Sequence, residues 1–264
     1  LSIAGKTGFP PVFRVVRLAA AVIVVAVLAS ALSGCAGGIP KTPDTPEDVL
    51  IKADGYYQRE KWFQAQELYK AFLSRYPGHE RSDYAQFMLA ESYFNNREYP
   101  MAAVEYQIMM NNYSYSEYID DALFKLGMSN YLESPKYQRD QQKSLDALSK
   151  FNQFMQTFPS SPLMPEVEKQ IEVIHVKMAK KSFETGYFYF RRKKWTAALI
   201  YFDKVIDEYP NNEYWARSAH IKGMILEDRG DIDGAVRSYS LVLTYPEDLS
   251  YKSDARRRLD KLRR

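Results

Sequence analysis

The chain of 264 residues holds one cysteine, Cys35, and three histidines, His79, His175 and His220. A lone cysteine excludes an internal disulfide framework, and histidines scattered without paired spacing or cysteine company exclude the usual zinc patterns. Glycine is also sparse, at 12 residues. It nowhere builds a Gly-rich phosphate loop or the Gly-x-Ser-x-Gly elbow that presents a nucleophile. Carboxylates are plentiful, but neighbours such as Asp120-Asp121 and Glu227-Asp228 point in different directions on a helix and read as solvated faces or helix ends. The expectation is a protein that is not an enzyme and has no cofactor and no metal.

An excess of one charge is missing as well. Lys and Arg total 36 against 33 Asp and Glu, and residues 1–34 contribute three cations (Lys6, Arg14, Arg17) and no acid. The remainder therefore carries 36 − 3 = 33 cations and 33 anions. That balance gives no support to a nucleic-acid partner.

Long apolar runs are absent except for residues 18–31, which fall short of the roughly 20 residues that a membrane span needs. Cations before the run and small residues after it read as a secretory signal over 1–34. Leu32-Ser33-Gly34-Cys35 resembles a bacterial lipoprotein signal, in which Cys35 would carry diacylglycerol and an N-acyl chain and anchor the protein to a membrane. An ordinary signal with a coincidental cysteine is the other reading. Ala36-Gly37-Gly38 lacks the aspartate that resembles an inner-membrane retention mark, which favours the outer membrane. Pro40, Pro43 and Pro46 make 35–46 an extended tether after the lipidated cysteine.

What the chain does have is a repeat. Trp62, Ala65, Tyr69, Phe72, Tyr76 and Pro77 return as Tyr99, Ala102, Tyr106, Met109 and Tyr113. The pattern continues as Ala147, Phe151, Phe154, Phe158, Pro159, then Ala198, Phe202, Val205, Tyr209, Pro210, and more loosely Ala235, Tyr239, Val242, Tyr245, Pro246. Steps of three and four put these side chains on one helical face, and proline stops the helix. A small residue precedes each copy, at Ala53, Ala90, Gly127, Gly186 and Gly223, and marks a first helix able to approach the second closely. In the third unit about eight extra residues intervene, around Ser134-Pro135-Lys136.

These signals resemble the tetratricopeptide repeat. The expected fold is all-α, a right-handed α-solenoid of about five tetratricopeptide-like helix-turn-helix units at about 47–81, 82–118, 119–162, 163–212 and 213–249, with a C-terminal helix over 250–264. The basic tail Arg256-Arg257-Arg258, Lys261, Arg263-Arg264 reads as a polar cap on the last unit, or as a surface for an acidic protein or anionic headgroups. Residues three before and four after each small residue should turn to the concave side. That places Leu50, Tyr57, Phe87, Phe94, Phe124 and Tyr131, with Asn95 beside them, in a groove suited to an extended peptide. The alternative is that neighbouring helices cover these rings. Grooves that clamp a C-terminal carboxylate use Lys, Arg and Asn, whereas Leu50 and Asp54 hold the corresponding places here.

Signal, tether, repeats, the third-unit insertion and a long helix over 166–191 together resemble the ComL family of lipoproteins, accessory factors of the outer-membrane β-barrel assembly machine. The resemblance implies an outer-membrane protein on the periplasmic face, lipid-anchored through Cys35. It implies C-terminal repeats that bind the POTRA region of the barrel subunit BamA beside other assembly-machine lipoproteins. The N-terminal repeats would receive C-terminal segments of unfolded outer-membrane proteins. By position it puts the basic turn Arg191, Arg192, Lys193 and Lys194 against BamA, with Arg192 the nearest match; a solvated turn is the other reading. The rival function is a tetratricopeptide envelope lipoprotein that coordinates peptidoglycan hydrolases or cell division.

Overall fold

The computed structural model describes residues 45–247 and 250–263, and every regular element among them is a helix. Five hairpins follow one another: α1 (Pro46–Tyr57) with α2 (Trp62–Arg75), α3 (Ser82–Asn95) with α4 (Tyr99–Asn112), α5 (Ile119–Glu133) with α6 (Gln142–Thr157), α7 (Met164–Arg191) with α8 (Trp195–Glu208), and α9 (Glu213–Asp228) with α10 (Ile232–Thr244). A final helix, α11 (Ser250–Leu262), closes the series. Each helix packs on the one before and the one after it, and α9 also touches α7 and α11. The result is a solenoid, whose core is built by stacking neighbours.

The repeat spacing works as a packing code. Ala65, Ala102, Ala147, Ala198 and Ala235 are fully buried, as are Tyr69, Tyr106, Phe151, Phe202 and Tyr239 four residues later. Phe151, Phe202 and Tyr239 lie over the glycine of their own first helix. A Cβ added to Gly127 would stand 2.6 Å from Phe151 Cε1, one on Gly186 2.9 Å from Phe202 Cε1, and one on Gly223 2.6 Å from Tyr239 Cε1. Those glycines are required by close approach.

The hairpin turns share one geometry. Glu60, Arg97, Lys193 and Gly230 adopt left-handed φ angles of 56°, 62°, 57° and 77°, and each stands five residues before the buried alanine. In the first turn Glu60 N–H donates to Tyr57 O and Lys61 N–H to Tyr56 O, both at 2.9 Å, which closes the helix end as a Schellman motif. The same bonds recur at Arg97 and Glu98, at Lys193 and Lys194, and at Gly230 and Asp231. Three of the four turns thus hold a non-glycine residue where an L side chain is strained.

The third connection is the exception. Its inserted residues are gathered by Gln141, only 2 % exposed, whose amide NH₂ lies 2.9 Å from Lys136 O and 3.2 Å from Arg139 O and Asp140 O. The loop is tied to the long α7 by Lys177, which donates to Ser134 Oγ at 2.7 Å and Ser144 Oγ at 3.1 Å, and by Lys181, which donates to Arg139 O at 2.7 Å. The insertion is therefore a docked element.

Candidate binding groove and basic turn

Carboxylates organise the inner helices. Asp54, one residue after Ala53, accepts hydrogen bonds from Tyr69 Oη of its own hairpin at 2.5 Å and from Tyr84 Oη of α3 at 2.9 Å. Glu91, one residue after Ala90, accepts from Tyr106 Oη and pairs with Lys125 of α5 at 3.0 Å. Glu227 accepts from Tyr239 Oη at 2.8 Å and pairs with Arg258 of α11 at 2.9 Å. In each case one carboxylate holds the phenol of its own hairpin and a donor from the next inner helix. Asp54 and Glu91 follow the small residue directly, whereas Glu227 stands four residues after Gly223; where the repeat has Phe151 or Phe202 in place of tyrosine, the places one and four after the glycine hold Met128 and Tyr131 or Tyr187 and Phe190, without a carboxylate. Glu227, expected on a solvated face or helix end, is thus part of a structural staple.

The expected groove residues divide. Leu50 is corrected: it is fully buried in the core and cannot line a groove. It lies one turn before Asp54 on the same helix face, and Tyr84 crosses that face to reach Asp54. Tyr57, Phe87, Phe94, Phe124 and Tyr131 are half-buried, and Asn95 is exposed. Asn95 Nδ2 donates to Tyr57 Oη at 2.8 Å, joining two of the expected residues across adjacent hairpins. Burial and the nearby Glu91 charge push the Tyr57 phenol up to about 12, so it stays a neutral hydroxyl. Phe87 stacks on Tyr118 with centroids 5.0 Å apart, Phe94 meets Tyr99 edge-on at 5.5 Å, and Phe124 tilts against Phe151 at 5.9 Å. Lysines cover two of the rings: Lys125 Nζ sits 4.5 Å from the Phe94 centroid and Lys177 Nζ 5.5 Å from that of Tyr131. The rings are held by these neighbours and remain partly exposed.

The four basic residues of the α7–α8 turn are all exposed, and none forms an ion pair among the described residues. Arg192 lies with its guanidinium 3.5 Å from the Phe188 centroid and donates to Phe188 O at 3.3 Å, while Lys193 takes the left-handed turn position. The turn holds its shape without a carboxylate, leaving its charge uncompensated.

At the far end the basic tail caps the array. Ala255 and Leu259 of α11 are buried, and Asp254 receives His220, Arg257 and Arg258. Burial alone would raise the Asp254 carboxyl, but hydrogen bonds from Arg258, His220 and Arg257 outweigh it and hold the group well below the usual carboxylate range. Among the described residues no three His, Cys, Asp or Glu side chains gather to hold a metal, and no helix is long and apolar enough to cross a membrane. Cys35, the expected signal and residues 35–44 of the expected tether lie outside the described residues, and the end of that tether is corrected: Thr45 caps α1, accepting from Asp48 N–H, and Pro46 is its first residue.

Stacked hairpins with small-residue contacts, aromatic second-helix faces and Schellman turns define the class: a tetratricopeptide-type α-solenoid. Residues 43–241 match the model of the YfiO family, described as outer membrane lipoprotein, and the chain belongs to that family. It is 23 % identical over 203 residues to the outer membrane protein assembly factor BamD of Rickettsia prowazekii, covering 74 % of this chain and 78 % of that one. It is 21 % identical over 199 residues to the BamD of Pasteurella multocida, covering 72 % and 76 %. Among solved structures, a TPR repeats protein from Bacteroides fragilis aligns over 84 % of this chain and 99 % of its own, at 10 % identity and a TM-score of 0.49.

Proposed function

We infer that this chain is a non-enzymatic accessory lipoprotein of the outer-membrane β-barrel assembly machine. Its C-terminal hairpins bind the POTRA region of BamA beside other lipoproteins of the machine, and its N-terminal groove receives C-terminal segments of unfolded barrel proteins. The observation that carries this reading is family membership across 43–241, with relatives named for outer-membrane protein assembly. Two features of the molecule support it. Tyr57, Phe87, Phe94, Phe124 and Tyr131 are each partly exposed, which suits an extended chain of aromatic and apolar residues. The basic turn 191–194 forms no ion pair among the described residues, which suits an acidic partner surface. Acyl chains on Cys35 would hold the solenoid at the periplasmic face of the outer membrane and raise its concentration near the machine.

Purification of the full chain from detergent-solubilised envelopes, with mass spectrometry of the partners and of Cys35, tests the assignment. A POTRA-containing barrel protein should dominate; amidases, transpeptidases or division proteins in its place would overturn it. Arg192→Glu should weaken BamA recovery by roughly tenfold or more, as for a charge pair broken at one partner, with helicity unchanged. Undiminished recovery removes the basic turn from the interface. Phe87→Ala combined with Phe94→Ala should reduce crosslinking to barrel C-terminal peptides, and equal crosslinking removes the groove.

A further inference from the structure

Beyond the aromatic groove, the inner surface changes character. Phe183 stands three residues before Gly186, as Phe87 stands before Ala90 and Phe124 before Gly127, so it continues the same row one hairpin further on. Its ring is only 1 % exposed, and the guanidinium of Arg217 on α9 lies 4.5 Å from its centroid. Tyr214, one turn before Arg217, packs its ring 5.6 Å from Phe183, and its hydroxyl is bordered by Lys180 of α7 and by Glu213. Lys180 also lies 4.8 Å from the Tyr137 ring of the inserted loop, and Lys177 one turn earlier sits over Tyr131. Among the described residues none of Lys177, Lys180 and Arg217 forms an ion pair, and all three are half-buried.

We propose that Lys180 and Arg217, flanked by Lys177, form a subsite for the terminal carboxylate of a peptide lying in the groove, fixing its direction with the C-terminus towards α7 and α9. This rests on the precursor-binding reading above and adds a polarity to it. Half-burial separates this cluster from the exposed turn 191–194: cations laid against rings inside the array meet a single extended chain, whereas a flat membrane or a folded partner meets the turn. The rings hold the cations in place beforehand, so little side-chain freedom is lost when a carboxylate arrives. A guanidinium can grip the two oxygens as a fork while an ammonium adds a second donor. The first hairpin has Leu50 and Asp54 where a clamp could have stood, so recognition of the terminus falls to the fourth and fifth.

The test uses the full chain in detergent micelles and a labelled peptide of alternating aromatic and apolar residues ending in an aromatic residue. One form carries a free terminal carboxylate, a second is C-terminally amidated, and a third is amidated with an internal aspartate. Fluorescence anisotropy should show the free acid binding about tenfold more tightly than the amide, the scale of one charge-assisted pair. Lys180→Gln with Arg217→Gln should erase that difference while leaving amide binding and circular dichroism unchanged, and Arg217→Lys should restore part of it. Equal binding of acid and amide by the unaltered chain overturns the subsite but leaves the groove standing. Recovery of full affinity by the internal aspartate overturns terminal recognition in favour of acidic side chains. Binding of neither form removes both the subsite and the groove. Loss of binding to phosphatidylglycerol vesicles in the glutamine variant, with peptide binding intact, assigns the cations to a membrane surface and overturns the proposal.

Discussion

Glu91 and Tyr106 offer a quantitative test of the carboxylate staple. Tyr106 is fully buried and donates to Glu91, itself 9 % exposed, and Lys125 Nζ lies 3.0 and 3.1 Å from the two Glu91 oxygens. Tyr106→Phe removes one hydrogen bond to a charged acceptor, a loss of about 2 kcal/mol. Glu91→Met strands the buried phenol and strips Lys125 of its counter-charge, leaving it only the Phe94 ring, at a cost of about 3 kcal/mol. The third hairpin already shows a stable alternative, with Met128 and Phe151 in the two equivalent places. Glu91→Met with Tyr106→Phe copies that arrangement and leaves no buried phenol unpaired. The double variant should therefore cost about 3 kcal/mol where additivity demands about 5, a coupling of about 2 kcal/mol. Urea unfolding followed by circular dichroism measures all four corners of the cycle. Single-variant losses that sum to the double-variant loss within about 0.5 kcal/mol would refute the staple as an energetic unit.

Gly127→Ala forces a Cβ to within 2.6 Å of Phe151, a buried ring with no open side, so a loss of about 1–3 kcal/mol is expected in the same unfolding assay. Full stability of that variant would show that the hairpin can open without cost. The cap should loosen in acid. Asp254 and Glu227 both have depressed folded-state values, Glu227 because Tyr239 and Arg258 outweigh its burial, so their contribution is complete above the unfolded values near 4 and is lost as pH falls through the folded ones. Hydrogen exchange in α11 should accelerate below about pH 4 ahead of exchange in α3 and α4, and simultaneous acceleration throughout would contradict this.

Much of the fold lay open in the sequence because the contacts that build it are local. Ala65, Tyr69 and Phe72 share a face at steps of four and three, and their partners Ala53 and Asp54 sit in the same hairpin. The small first-helix residues could be read for the same reason, since only a residue without bulk fits beneath Phe151 or Tyr239. Leu50 was misplaced because helical phase gives a direction and not what lies in that direction: Tyr84, thirty residues after Asp54, crosses the same face. The carboxylate staples were missed although their signal is present: tyrosine stands four after the alanine where an acid lies one or four residues after the small residue, at Asp54, Glu91 or Glu227, and phenylalanine where neither place holds one. The cations over Phe183 and Tyr137 left no periodic trace, because one comes from α9 and the other meets a ring in the insertion.

The staples also bear on how the hairpins depend on one another. Asp54 reaches forward to Tyr84 and Glu91 to Lys125, each carboxylate holding the following inner helix. Glu227 makes the same forward reach to Arg258 of α11, which also meets Asp254 of its own helix. Each such bond is a stitch between successive units, so damage to one carboxylate is felt in two hairpins at once, the nearest-neighbour coupling by which a solenoid shares its stability along its length.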